Sequence, residues 1–295
     1  MKSAFRRILV ALDLSNMDQQ LLRYVAQMQA IWGAEKIYFV NIMPDFTVPK
    51  NVDAEFHKLF SSEYPVDEKI RDKLALDVQE YFGGAAGVEL SVEVIEGKPY
   101  DKLLHWLAVK EIDLLVAGSK KTSEGSGIIP RRVARRARCS VIFVTQGSVV
   151  PKRLLVPVDF SDNAARALLY AVELAKVLPD ATIQALHIVE APSEKYYTRI
   201  APPSGFRAML AEASRRSYDK MIKTYQLEQA DIEPVFLQDD YVSIATRIGD
   251  YIEENGADLI IMGAQGRSAF EQFLYGSVTE RLVEQNKFTP VLIIR

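Results

Sequence analysis

The chain has 295 residues, 48% hydrophobic and 25% charged, an ordinary globular composition with room for two domains. Its single cysteine, Cys139, excludes an intrachain disulfide and multi-cysteine zinc sites, and the three histidines stand in no metal-ligating spacing. A net charge of −3 argues against a general nucleic-acid binder, and the sequence shows neither a signal-peptide pattern nor an apolar run of about 18 residues, so a cytoplasmic, reduced protein is expected.

In chain order, the first half gives a strand at Ile8–Leu12, a helix to about Ile31, and a strand at Lys36–Ile42. A long helix ending near Phe82, a strand at Val88–Ile95 and a helix at Tyr100–Lys110 follow, then a strand at Asp113–Ala117, a helix near Arg131–Arg138 and a strand at Val141–Val144. The second half repeats the series. Arg153–Val158 is a strand, and Ser161 is placed to cap a helix over Ala164–Val177. Strands at Thr182–Val189, Ile232–Leu237, Asp258–Met262 and Pro290–Ile294 alternate with helices at Phe206–Tyr225, Val242–Asn255 and Ser277–Gln285. Strands alternating with helices predict α/β domains with doubly wound parallel sheets and right-handed crossovers.

The two halves are copies. Residues 7–15 (RILVALDLS) match 153–161 (RLLVPVDFS), and 113–118 (DLLVAG) match 258–263 (DLIIMG), at an offset of 145–146. The joint falls at the Gly/Ser/Pro segment 147–151, giving domains at 1–147 and 152–295. Residues 1–150 carry +1 net charge and residues 151–295 carry −4, so the copies share a pattern but not a surface.

The most specific segment is 262–282, which contains Gly263-x2-Gly266-x9-Gly276-Ser277. Glycines let backbone N–H groups approach a ligand closely, and Gly276-Ser277-Val278 opens a helix whose first N–H groups favour negative charge. Arg267 adds a fixed charge, and Ser277 and Thr279 add hydroxyls, so the segment suits a di- or triphosphate. His187, within an apolar strand, reads as a satisfied core histidine, and the adjacent Asp239 and Asp240 as a solvated loop. The first copy keeps Asp13, Ser15 and Gly118 but has Lys121 at the second glycine position, with a shorter loop before Ser126-Gly127, so its nucleotide site is degenerate. Its segment 131–138 carries five arginines, of which Arg131, Arg135 and Arg138 would share a helical face.

This glycine spacing, with Asp159 after the first strand and the LHIVE segment 186–190, resembles the universal stress protein family, and the likeness covers both halves. The resemblance implies strand order 3-2-1-4-5 in each copy, with ATP or another adenine nucleotide at the strand ends of the second. On that likeness Pro157, Val158 and Asp159 face the adenine and ribose, and the backbone of Ile188 contacts the base. Met262, Gly263, Gly266, Gly276, Ser277, Val278 and Thr279 line the ribose and phosphates. Magnesium would ride on the phosphates rather than in a protein cage. Because family domains commonly pair through their last strand, the two copies are expected to pack as a pseudo-dimer, with a homodimer as a further option.

The leading expectation is a non-enzymatic stress-response protein that binds ATP and acts by conformation or assembly, with an unidentified protein partner. A nucleotide-free interaction protein using the Arg131–Arg138 segment is the alternative, and a slow ATPase the third reading, although no Walker A sequence is present.

Overall fold

Short aliphatic runs with hardly a polar side chain make the inner strands, as burial on both faces of a sheet requires. In the first half β1 (Arg7–Leu12) is followed by α1 (Asn16–Trp32), β2 (Lys36–Met43), α2 (Val66–Phe82) and β3 (Glu89–Glu96). Then come α3 (Pro99–Val109), β4 (Leu114–Gly118), α4 (Ile128–Arg136) and β5 (Ser140–Val144). The second half runs β6 (Arg153–Pro157), α5 (Asp162–Ala175), β7 (Thr182–Val189), α6 (Phe206–Thr224) and β8 (Ile232–Gln238). It closes with α7 (Ile244–Asn255), β9 (Leu259–Gly263), α8 (Ser277–Gln285) and β10 (Val291–Ile294). The computed structural model describes residues 5–43, 66–84, 87–119, 128–190, 205–238, 243–264, 276–286 and 288–295.

The chain divides into two units, Met1–Gly147 and Ser148–Arg295. In the first, the strands lie in the order β3-β2-β1-β4-β5; in the second, β8-β7-β6-β9-β10. Every strand pair within these two series is parallel. Both are the 3-2-1-4-5 order that the resemblance implies. In each unit the order reverses beside the first strand, between β1 and β4 and between β6 and β9, where an open sheet leaves a crevice at its strand ends.

The matched Arg and Asp positions of the two halves sit at the opposite end of the sheets. Asp113 accepts from the Arg7 N–H at 2.8 Å. Asp258 accepts from the N–H groups of Lys152 (3.0 Å) and Arg153 (2.9 Å) and from the Arg153 guanidinium (2.8 Å). Each thus ties the start of the first strand to the start of the fourth. The core of the first unit centres on Trp32, Tyr24, Phe39 and Phe143, all at most 2% exposed. Tyr24 meets Trp32 edge to face, and Phe39 meets Phe82 in the same way. Among the described residues no helix is long and apolar enough to cross a membrane.

One expected element is displaced. The helix placed near Arg131–Arg138 spans Ile128–Arg136, and its last α-type bond is donated by the Ala137 N–H to Val133. The chain must turn there to enter β5 at Ser140, so Arg138 lies beyond the helix and does not share its face with Arg131 and Arg135. Arg132 stacks on the Tyr100 ring of α3, 4.9 Å from its centroid.

Candidate functional site

The crevice of the second unit begins where β6 ends. The Val158 N–H still donates to the Leu186 carbonyl at 2.8 Å, and then the backbone turns sharply through Phe160, at φ 63°. A bulky residue in the left-handed region is uncommon and costs of order 1–3 kcal/mol. The first unit repeats it at Leu14, φ 61°. The turn is held by the residue pair that both halves share. In the second unit Asp159 Oδ1 accepts from the Ser161 N–H at 3.1 Å and hydroxyl at 2.6 Å. The Ser161 hydroxyl in turn accepts from the Ala164 N–H at 3.2 Å, capping α5.

Across the strand, His187 Nδ1 lies 2.8 Å from the Val158 carbonyl. A carbonyl only accepts, so Nδ1 carries the proton and the ring acts as a donor. Its face lies against Phe160, with ring centroids 4.3 Å apart, and its edge against Phe236. In the first unit Asn41 does the same work, donating from Nδ2 to the Leu12 carbonyl at 3.0 Å.

On the other side of the crevice stands the end of β9. A Cβ on Gly263 would lie 2.6 Å from both the carbonyl carbon and oxygen of Asn163, so only glycine lets the first turn of α5 pack this closely. The Gly276 N–H donates to the Ala264 carbonyl at 3.1 Å, and the Thr279 hydroxyl donates to the Gly263 carbonyl at 3.4 Å. These bonds set the first turn of α8 against the strand end. Its N-cap is Gly276, which has no side chain to cap with. The N–H groups of Ser277, Val278 and Thr279 meet no acceptor among the described residues. Because the Thr279 hydroxyl is committed to Gly263, the group Thr279 can offer as a donor is its backbone N–H.

Between these walls lies a cavity of about 380 Å³. Of the twelve site residues expected from the sequence, ten line it: Pro157, Val158, Asp159, Ile188, Met262, Gly263, Gly276, Ser277, Val278 and Thr279. Gly266 and Arg267 lie outside the described residues, as do Lys121, Ser126, Gly127, Asp239 and Asp240. Six further residues line the cavity that sequence reasoning did not assign to it: Ala164, Leu186, His187, Glu190, Ile244 and Ile248. Ser243 caps α7 through the Thr246 N–H at 3.2 Å, and Ile244 and Ile248, four apart, share the face that α7 turns to the crevice.

The crevice is thus graded in chemistry. Its β7 and α7 side is largely apolar, with Ile188, Ile244 and Ile248. Its β9 and α8 side presents backbone donors and the exposed Ser277 hydroxyl. Such a gradient suits a flat, apolar ring at one end and an anion at the other. Among the described residues no group of three or more His, Cys, Asp or Glu side chains is placed to hold a metal ion.

The corresponding crevice of the first unit is smaller, about 120 Å³, and keeps Asp13 and Gly118 in its walls. In α1, Asp18 holds the place that Ala164 has in α5. It is 5% exposed, and its two oxygens accept from the N–H groups of Asp13 (3.1 Å) and Leu14 (2.8 Å).

The universal stress protein family, as a sequence family, matches the chain twice, over residues 4–145 and 151–295. The universal stress protein MJ0531 of Methanocaldococcus jannaschii is 28% identical over 159 residues, covering 52% of this chain and 87% of its own. A putative universal stress protein of Staphylococcus haemolyticus is 30% identical over 147 residues, 49% of this chain and 84% of its own. Over the whole length, the fold is that of a universal stress protein from Archaeoglobus fulgidus: TM-score 0.66 at 20% identity, covering 100% of this chain and 99% of the other.

Proposed function

The chain belongs to the universal stress protein family, and from that premise we propose that it binds one ATP, or another adenine nucleotide, in its second unit and acts by conformation or assembly. The observation that carries this reading is the first turn of α8. Three N–H groups without an acceptor among the described residues face a cavity that also receives the turn after β6. Helix N-termini of this kind attract phosphate through both the orphan donors and the helix dipole. The base would lie between Ile188 and the Ile244/Ile248 face, and the ribose over the Asp159 turn. Magnesium would enter with the phosphates, since it keeps most of its water and takes phosphate oxygens readily.

Binding rather than chemistry is favoured by a lining made mainly of apolar side chains and backbone donors, with two of its titratable side chains, Asp159 and His187, engaged in holding the turn. Asp159 Oδ1 holds Ser161, and His187 Nδ1 holds the Val158 carbonyl. Both brace the turn after β6. The first unit is not expected to take a nucleotide. Asp18 already accepts from the loop N–H groups, and its carboxylate would repel an incoming phosphate.

Native mass spectrometry of the purified full-length chain tests the reading. One adenine nucleotide per chain, retained or restored by adding ATP, is expected. A chain that takes up none at millimolar ATP would refute it.

A further inference from the structure

We propose that the first unit carries a separate binding site for a small, uncharged, apolar molecule of about six to eight non-hydrogen atoms. The site is the crevice at the ends of β1, β2 and β4, with a volume of about 120 Å³. Leu12, Met17, Val40, Ile42, Leu103 and Ile129 supply its hydrocarbon walls. It occupies the same position in its sheet as the cavity of the second unit, so the two can be compared wall by wall.

Three differences turn its chemistry from anionic to apolar. The first is Asp18, a buried carboxylate that satisfies the N–H groups of Asp13 and Leu14 from within the chain. Asp18 does not itself line the crevice, but it holds the backbone of Asp13, which does, so its charge disfavours an anion there and leaves a neutral molecule unaffected. The second is the first turn of α4, which contains Ile129 and Pro130 where α8 has Val278 and Thr279 in its first turn. Proline has no N–H, so this helix end offers fewer donors to a ligand. The third is size. The crevice has about a third of the volume of its counterpart, too little for a nucleoside triphosphate. Apolar cavities of about 150 Å³ hold a benzene ring, and water gains little from a space whose walls offer it few hydrogen bonds. Among the described residues Asp13 is the one ionisable side chain in the lining, and its Oδ1 already accepts from the Ser15 hydroxyl at 2.6 Å. The site therefore selects for shape and apolar surface. It stands apart from the nucleotide reading, which concerns the other unit.

Two methionines allow both sites to be observed in the intact chain, because Met17 lines the first crevice and Met262 the second. The protein is labelled at its methionine methyls, and the Met17 and Met262 signals are assigned by Met→Leu variants. Benzene is then titrated, followed separately by ATP. The proposal expects a saturable shift of Met17 with benzene and no shift of Met17 with ATP. Ile129→Trp, at the rim, should abolish the benzene response, and Ile42→Thr, which places a hydroxyl in the wall, should weaken it several-fold. Tryptophan fluorescence checks that each variant is folded. A Met17 signal that fails to saturate with benzene would overturn the proposal, as would an unchanged response in folded Ile129→Trp or Ile42→Thr. So would competition between ATP and benzene at Met17. A silent Met262 with ATP would count against the nucleotide reading alone.

Discussion

The hydroxyl of Thr279 donates to the carbonyl of Gly263, 3.4 Å away, and pins the first turn of α8 to the end of β9. Thr279 is 4% exposed, so this tie is shielded from water. It holds three backbone N–H groups in position at the crevice without using any of them. Thr279→Val removes the tie and leaves the Gly263 carbonyl without that donor, a loss of roughly 1 kcal/mol for an ordinary hydrogen bond. Calorimetry with ATP should show affinity lowered by roughly five- to tenfold in Thr279→Val, and within about twofold of the parent in Thr279→Ser.

Gly263 and Gly118 hold the same place in the two sheets but are confined by different neighbours. A Cβ on Gly263 meets backbone atoms of Asn163 at 2.6 Å, whereas a Cβ on Gly118 meets Met17 Cγ at 2.6 Å. A side chain can change rotamer, while a helix start must move as a body. Gly263→Ala should therefore cost about 1–3 kcal/mol, and Gly118→Ala less. Both tryptophans, Trp32 and Trp106, lie in the first unit, so their fluorescence in urea isolates Gly118→Ala, while far-ultraviolet circular dichroism follows Gly263→Ala.

His187 and Asn41 perform one task in two units, each donating to a carbonyl at the end of the neighbouring strand, that of Val158 just beyond β6 and that of Leu12 at the end of β1. The equivalence predicts that His187→Asn is tolerated and His187→Leu is not. Leucine would leave the Val158 carbonyl without its donor, at a cost of about 1–3 kcal/mol. Thermal unfolding of the two variants beside the parent checks the order. Equal stability of His187→Leu and the parent would show that the contact contributes nothing.

Asp258 gives the second unit a pH dependence of definite sign. Burial pushes its carboxyl up, but the Arg153 guanidinium and the N–H groups of Arg153 and Lys152 outweigh this and hold it below its ordinary value of 3.8. A carboxyl more acidic in the folded than in the unfolded chain contributes stability above its unfolded pKa and loses it as pH falls through the folded value. Asp258→Asn should therefore be less stable than the parent at neutral pH, and the gap should close on acidification below that ordinary value. Denaturant titrations of both proteins across this range measure it.

Much of this architecture was legible in the sequence, because the inner strands are near-continuous apolar runs and the chain states its pattern twice. The Asp159–Ser161 turn and the glycine spacing after β9 pointed to the strand ends, and Asp159, Gly263, Gly276 and Ser277 line one cavity there. The sequence did not reveal what confers its apolar end. Ile244 and Ile248 look like any buried face of a helix until α7 is placed beside β7. Asp18 was hidden for a related reason. An acidic residue in a first helical turn is expected from the helix dipole alone, and only the left-handed turn at Leu14 brings the loop N–H groups onto its carboxylate. Likewise, a run of arginines favours helix throughout, and no residue in it marks the helix end at Arg136.

The contrast between Ala164 and Asp18 provides the most direct test of the account. Ala164 lines the cavity of the second unit, and its counterpart in the first unit is a carboxylate that the same fold accommodates. Calorimetric titration of ATP into the intact parent chain should give one site per chain, and Ala164→Asp, with its fold intact by circular dichroism, should give no measurable heat of binding. Two sites in the parent chain, or unaltered ATP affinity in Ala164→Asp, would contradict the assignment of the nucleotide to the second crevice.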